Sequence, residues 1–285
     1  MPPSTAPWWR DKRLFYARPS VSAKYDALRF GGAGGARVNQ RELELVLRLL
    51  GDLPAGARLL DLACGTGRLA RVLYRSCYRV AALDFSVPML QQAQAALAAP
   101  ARGSEASAVT AATGAVRRDE RDRAAPDETA PRQQLPTFWS REGASIHLIQ
   151  GDAFALPFPA TLFDGVVALR FAFHWRELGP LLAEMRCVAA PGAPLVFDTY
   201  VWTPRALLAL DAARWGGKVF THRPRAVRAL AAELGLAVEA EVPCFLCSPY
   251  VYRRLPLPAV RALERVERVV PPRWLCRVFW RLRRG

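Results

Sequence analysis

The sequence predicts an α/β fold, a mostly parallel β-sheet with helices on both faces. Three observations carry this expectation. Short apolar runs recur at Leu59–Leu62, Val80–Leu83, Ile146–Ile149, Val166–Leu169 and Leu195–Thr199. Between them lie stretches whose apolar residues repeat at helical spacing, the alternation that builds a parallel sheet with crossover helices. The first run also breaks into Gly65-Thr66-Gly67 and passes straight into a helical pattern, Leu69, Ala70, Val72 and Leu73.

Taken in order, Met1–Ser20 carries Trp, Arg and Pro and reads as loosely ordered. Val21–Phe30 reads as a helix, and Gly31-Gly32-Ala33-Gly34-Gly35 as a flexible break. A helix follows over Val38–Leu50, with Leu43, Val46, Leu47 and Leu50 on one face. The core begins at Ala57. Strand one leads through the glycine turn to a helix, and strand two, Arg79–Asp84, leads to a second helix ending near Ala98. Pro100–Gln134 is poor in large apolar residues and mixed in charge, so it cannot bury enough surface to offset its ordering entropy, and it reads as a disordered insertion. Strands three to five follow, with a helix and the Pro191-Gly192 turn before the fifth. Pro204–Arg214 and Pro224–Leu234 read as helices, Leu236–Cys247 as strand six, and Leu257–Val269 as an amphipathic helix between prolines. In Trp274–Arg283, Trp274, Cys276, Val278, Trp280 and Leu282 alternate with mostly basic residues, the period of a strand in the edge region of the sheet.

The glycine turn lets a ligand approach the backbone closely. Gly65-Thr66-Gly67-Arg68-Leu69-Ala70 fits the dinucleotide pattern G-x-G-x-x-G/A, but Asp61, four residues before Gly65, would repel a pyrophosphate. A ligand with a positively charged amino-acid end, such as S-adenosyl-L-methionine, suits that carboxylate. Asp84, 17 residues after Gly67, ends strand two where an acid accepts hydrogen bonds from ribose hydroxyls. Phe85 and Met89 are placed to sandwich an adenine, and Asp152 in Gly151-Asp152-Ala153 to receive its amino group. Ala63 in the first turn, Ala153, and Arg170 after strand four complete the expected cofactor set.

These motifs, with Phe163-Asp164-Gly165-Val166-Val167 and the run Glu184–Val196, stand in the order seen in class I S-adenosylmethionine-dependent methyltransferases, which the chain resembles over roughly Leu59–Tyr200. It is similar to the small-molecule branch that includes ubiquinone and menaquinone C-methyltransferases. The resemblance implies a Rossmann-like seven-stranded sheet whose last strand is antiparallel. It also implies S-adenosyl-L-methionine as cofactor, with S-adenosyl-L-homocysteine as product. Residues 1–56 would form an N-terminal helical cap segment and residues 57–285 the methyltransferase domain.

Methyl transfer requires mainly alignment of donor and acceptor and exclusion of water. His174 serves either as a base or as a structural hydrogen-bonding group at a helix start. Phe173 and Trp175 either line an aromatic acceptor pocket or pack the core. Tyr25 either covers the cofactor or packs between helices. Adenine N6 enzymes carry Asp/Asn-Pro-Pro-Tyr/Phe after strand four, where this chain has Leu169-Arg170-Phe171-Ala172. Cytosine C5 enzymes place a nucleophilic Cys there, and Pro243-Cys244 comes too late.

Among 285 residues, 40 basic and 25 acidic side chains give a net charge of +15. Ten arginines against Glu264 and Glu267 between Arg253 and Gly285 concentrate that surplus. They read as mostly solvated, with weak peripheral membrane association as their strongest expected effect and nucleic acid not an expected partner. Cys244 and Cys247 form a CxxC without a second ligand pair, so no metal is expected. The expected protein is cytoplasmic and acts on a small-molecule acceptor, aromatic, quinone-like or lipidic. RNA methylation and a non-catalytic cofactor-binding role are the alternatives, with a NAD-dependent oxidoreductase further behind because of Asp61.

Overall fold

A computed structural model describes residues 8–51, 53–99, 144–204 and 218–285. The elements run α1 (Trp8–Tyr16), α2 (Pro19–Ser22), α3 (Tyr25–Phe30), α4 (Gly32–Leu50), β1 (Arg58–Leu62), α5 (Arg68–Arg75), β2 (Arg79–Asp84), α6 (Val87–Ala98), β3 (Ser145–Gln150), β4 (Gly165–Ala168), α7 (Gly179–Val188), β5 (Pro194–Tyr200), α8 (Pro224–Glu233), β6 (Leu236–Cys244), α9 (Pro249–Tyr252), α10 (Leu257–Glu267) and β7 (Arg277–Arg284). Seven strands form one sheet in the order β3-β2-β1-β4-β5-β7-β6. The first five are parallel, and β7 runs antiparallel to both β5 and β6. The expected α/β class and seven-stranded sheet are therefore present. The expected insertion, Pro100–Gln134, and most of the expected helix over Pro204–Arg214 lie outside the described residues.

Two apolar layers cover the sheet. One joins α4, α5 and Phe279 of β7 to Leu59, Val80 and Val196. The other joins α7, α8 and Trp280 of β7 to Leu60, Ala81 and Leu195. β7 sits between β5 and β6, not at the edge, and is buried on both faces by these two layers, so Phe279 breaks the simple alternation, whereas Leu275 precedes the strand. Trp274 falls in a 3₁₀ turn before the strand, 54 % exposed.

Two expectations about the N-terminal region are corrected. Residues 8–16, read as loosely ordered, form α1. Gly32–Gly35, read as a break, begin α4. A Cβ at Gly34 would run into the Tyr252 carbonyl oxygen, and one at Gly35 would lie 2.5 Å from the Phe30 carbonyl carbon. These glycines permit close approach of backbones, and the packing gained outweighs their low helix propensity.

The buried face of α4 also carries an acid. Glu42 accepts from Arg170 Nη1 at 2.9 Å, from Arg68 Nη2 at 2.9 Å and from Arg277 Nη1. Asp198 on β5 accepts from Arg277 at 2.7 and 3.1 Å and from the Arg170 backbone N–H at 2.5 Å. Asn39 accepts from Arg68 Nη1 at 2.6 Å. Burial pushes the Glu42 carboxyl up, but the three guanidinium groups win and hold it well below the usual carboxylate range.

The C-terminal arginines divide between structure and solvent. Arg277 is buried in this network, which corrects its reading as a solvated charge. Arg281 and Arg283 pair with Glu239, and Arg284 donates to the carbonyls of Arg186 and Ala189. Arg254, Arg261, Arg265, Arg268 and Arg273 are exposed. No helix among the described residues is long and apolar enough to cross a membrane.

Removing one partner from a buried ion network leaves uncompensated charge. Glu42→Gln is expected to lower unfolding stability by about 3–5 kcal/mol, measured from the denaturant midpoint. A loss below about 1 kcal/mol, the scale of exposed pairs, would show that the arginines find other partners.

Candidate active site

A cleft opens at the C-terminal ends of β1, β2 and β4, where an open α/β sheet binds ligands. Ala63, Gly65, Asp84, Phe85, Met89, Asp152, Ala153 and Arg170 line it, as do Tyr25, His174 and Trp175. The glycine turn and the end of β2 are clipped together. Asp84 Oδ2 accepts from the Gly65 N–H and Oδ1 from the Ser86 N–H, each at 2.8 Å. Burial pushes the Asp84 carboxyl up against these bonds. Ser86 caps α6, accepting from the Met89 N–H at 3.2 Å, while its hydroxyl donates to the Tyr16 carbonyl at 2.7 Å and so ties down α1.

The two turn glycines serve different ends. At Gly65 (φ 57°) an added Cβ would meet nothing within 4 Å, so this residue leaves the cleft open. At Gly67 (φ 72°) it would lie 2.8 Å from the Ala93 Cβ. Gly67 lets α5 approach α6 and does not line the cleft. Asp61 does not line it either. Its carboxylate is buried at the end of β1 and accepts from the Ala70 backbone N–H in the first turn of α5. Its Oδ2 has no partner among the described residues. Burial raises its pKa to about 7, against the pull of Arg68. Phe173 turns inward and packs on Tyr200, with ring centroids 4.6 Å apart, which places it in the core and not on an acceptor pocket.

Arg170 stands in the left-handed region, φ 61°, a conformation costing a non-glycine residue about 1–3 kcal/mol. Asp198 and Glu42 hold it there, and its buried Nε has no partner among the described residues. Asp152 Oδ1 accepts from the Phe154 N–H at 3.0 Å, and Oδ2 from Arg13 Nη2 at 2.6 Å. The Arg13 guanidinium lies 4.6 Å from the exposed Phe85 ring. At the other end, Phe154, Phe171 and Trp175 form an aromatic cluster with centroids 4.3 to 6.1 Å apart. Tyr16 and Tyr25 meet edge to face with ring centroids 6.2 Å apart, and Asp26 accepts from the Thr66 hydroxyl at 2.8 Å, anchoring α3 to the turn.

Sequence reasoning missed Lys12, Arg13 and Tyr16 of α1, and Phe154 and Phe171. The one available signal was the i, i+4 spacing of Lys12 and Tyr16. It was hidden because α1 presents charged and aromatic groups to the cleft and so lacks an apolar stripe.

The residues present fit an adenosyl amino acid. An acid stands for the ribose diol, an exposed ring and Met89 for the base, a carboxylate for its amino group, and an orphaned guanidinium nitrogen for an α-carboxylate. Among the described residues no three His, Cys, Asp or Glu side chains gather as a metal site.

A family model described as "Methyltransferase domain" matches residues 36–241. The chain belongs to this family, whose methyl donor is S-adenosyl-L-methionine. The fold is similar to magnesium protoporphyrin IX methyltransferase from Synechocystis PCC 6803 with bound S-adenosylhomocysteine, at TM-score 0.59, 14% identity, and coverage of 96% of this chain and 100% of that one. It is also similar to geranyl diphosphate C-methyltransferase from Streptomyces coelicolor A3(2), solved with Mg2+, geranyl diphosphate and S-adenosylhomocysteine, at TM-score 0.59, 14% identity and coverage of 99% of each chain. The [4+2]-cyclase SpnF shares the architecture at TM-score 0.57, 14% identity and 96% coverage of each chain, so the fold by itself hosts more than one reaction. Among curated proteins, none matches the chain in sequence.

Asp61 has a measurable consequence. Unfolded, its carboxyl has the ordinary value of about 3.9; in the fold, burial pushes it up to about 7. Between these values the folded protein holds a proton that the unfolded chain releases, so rising pH weakens the fold across that window. Asp61→Asn lacks this penalty and is expected to gain melting temperature relative to wild type from about pH 5 to about pH 8. Parallel pH curves for the two proteins would rule out the raised carboxyl.

Proposed function

We propose that this methyltransferase family member transfers a methyl group to a small-molecule acceptor, with the cofactor's adenosine on Phe85, Met89, Asp84, Asp152 and Ala153. Its amino-acid end would meet Ala63, Gly65 and Arg170. The observation that carries this reading is the clip between Asp84 and Gly65. Both carboxylate oxygens are held by backbone N–H groups at 2.8 Å, so the remaining lone pairs are fixed as acceptors for a diol.

When bound, the cofactor supplies an activated methyl group on a cationic sulfur. The chain's own part is alignment and shielding. Gly65 leaves room at the turn, Arg170 is pre-set by Asp198 and Glu42, and the aromatic side chains of α1, α3 and the strand-four exit screen the acceptor end from water. Apolar and aromatic walls suit a small organic acceptor better than RNA. The exposed arginines of α10 lie on an element that does not line the cleft. We place this activity in the cytoplasm, and membrane attraction through those arginines would be weak and screened by salt.

Calorimetry tests the reading. S-adenosylhomocysteine should bind the wild type, and Asp84→Ala should weaken binding by at least about tenfold, or about 1.4 kcal/mol. Tighter binding of NAD than of S-adenosylhomocysteine would overturn the assignment.

A further inference from the structure

Lys12 is 4% exposed, and its ammonium makes two contacts with one residue of the cleft. Nζ lies 2.9 Å from His174 Nδ1 and 3.0 Å from the His174 carbonyl oxygen. An ammonium only donates, so Nδ1 must present its lone pair and the ring proton must sit on Nε2. Protonating Nδ1 as well would set two buried cations face to face. His174 is therefore held as a neutral imidazole that donates from Nε2. In that tautomer Nε2 has no lone pair with which to take a proton, so the ring suits recognition of an anion and not the work of a general base.

Further cations gather beside this pair. Lys12, Arg176 and Lys218 each bring a cationic group within 5.7 to 5.9 Å of the Phe220 ring centroid. Phe220 is fastened beside the site by its backbone N–H, which donates to the Phe173 carbonyl at 2.8 Å. Arg176 and Lys218 are exposed, and Lys12 and His174 line the cleft, so positive charge lies on both sides of the Phe220 ring. Such an arrangement raises the local concentration of anions. Phe154, Phe171 and Trp175 supply flat apolar walls alongside.

We propose that the acceptor is a small aromatic acid, its ring against Phe154, Phe171 and Trp175 and its carboxylate against Lys12 and the His174 Nε2–H. Lys12 acts in two ways, as the positive charge and as the group that sets the His174 tautomer. This rests on the reading of the neighbouring half of the cleft as the cofactor site.

The test uses the full chain saturated with S-adenosylhomocysteine, with benzoate and benzamide as probes of equal shape and different charge. Benzoate should bind at millimolar concentration or below, and benzamide at least about tenfold more weakly. Lys12→Met should lose about tenfold in benzoate affinity while S-adenosylhomocysteine binds as in wild type, and Lys12→Arg should restore part of the loss. Nitrogen NMR of the wild-type complex should show His174 protonated at Nε2 and bare at Nδ1. If Lys12→Met does not fold, Arg176→Gln with Lys218→Gln, at exposed positions, should weaken benzoate and flatten its salt dependence. Equal binding of the two probes, no benzoate binding, benzoate affinity indifferent to these substitutions, or a proton on Nδ1 would each overturn the proposal. Failure of the wild type to bind S-adenosylhomocysteine would instead overturn the cofactor reading.

Discussion

The fold turns on one buried carboxylate. Glu42 enters from α4 and receives guanidinium groups from α5, from the end of β4 and from β7. Pairing with it offsets much of the cost of burying these arginines, because a desolvated cation costs several kcal/mol unless paired and hydrogen-bonded. The N-terminal helix layer, the helix after the glycine turn and the antiparallel strand are thus bound to one point. Asp198 completes the arrangement from β5, accepting from Arg277 Nε and Nη2 while Glu42 accepts from its Nη1.

The site inherits its rigidity from this point. Arg170 occupies a strained backbone conformation that only fixed partners sustain. A second, independent set of bonds runs from Asp84 through Gly65 and Ser86 to the carbonyl of Tyr16. The cleft therefore has a firm floor built from strand ends and a wall, α1, fastened to that floor by side chains. Preorganisation of this kind suits a reaction whose main demand is alignment.

Much of the fold was legible because parallel strands and glycine turns announce themselves locally. The runs at β1, β2 and β4 were placed correctly from spacing alone, and Asp84, Asp152 and Gly65, singled out by spacing, line the cleft. What sequence could not show were facts of packing. Gly34 and Gly35 read as a break, because nothing local reveals that Tyr252 and Phe30 must pass so close. Asp61 and Gly67 read as ligand contacts, yet one caps a helix and the other admits a neighbouring helix. Arg277 looked like one more basic residue in a basic tail. Its burial depends on Glu42, 235 residues away, and no periodicity encodes that distance. Phe173 and Trp175 were indistinguishable as neighbours in sequence, and only the turn after β4 sends one into the core and the other to the cleft.

Lys12 and Arg13 are consecutive on α1, yet they hold opposite ends of the cleft. Arg13 sits on Asp152 and over Phe85, where an adenine would rest, and Lys12 sits on His174. The guanidinium is a placeholder that an incoming base must push aside or share with. Because the two residues ride on one short helix, a single element of the N-terminal region borders both places, and its docking shapes them together.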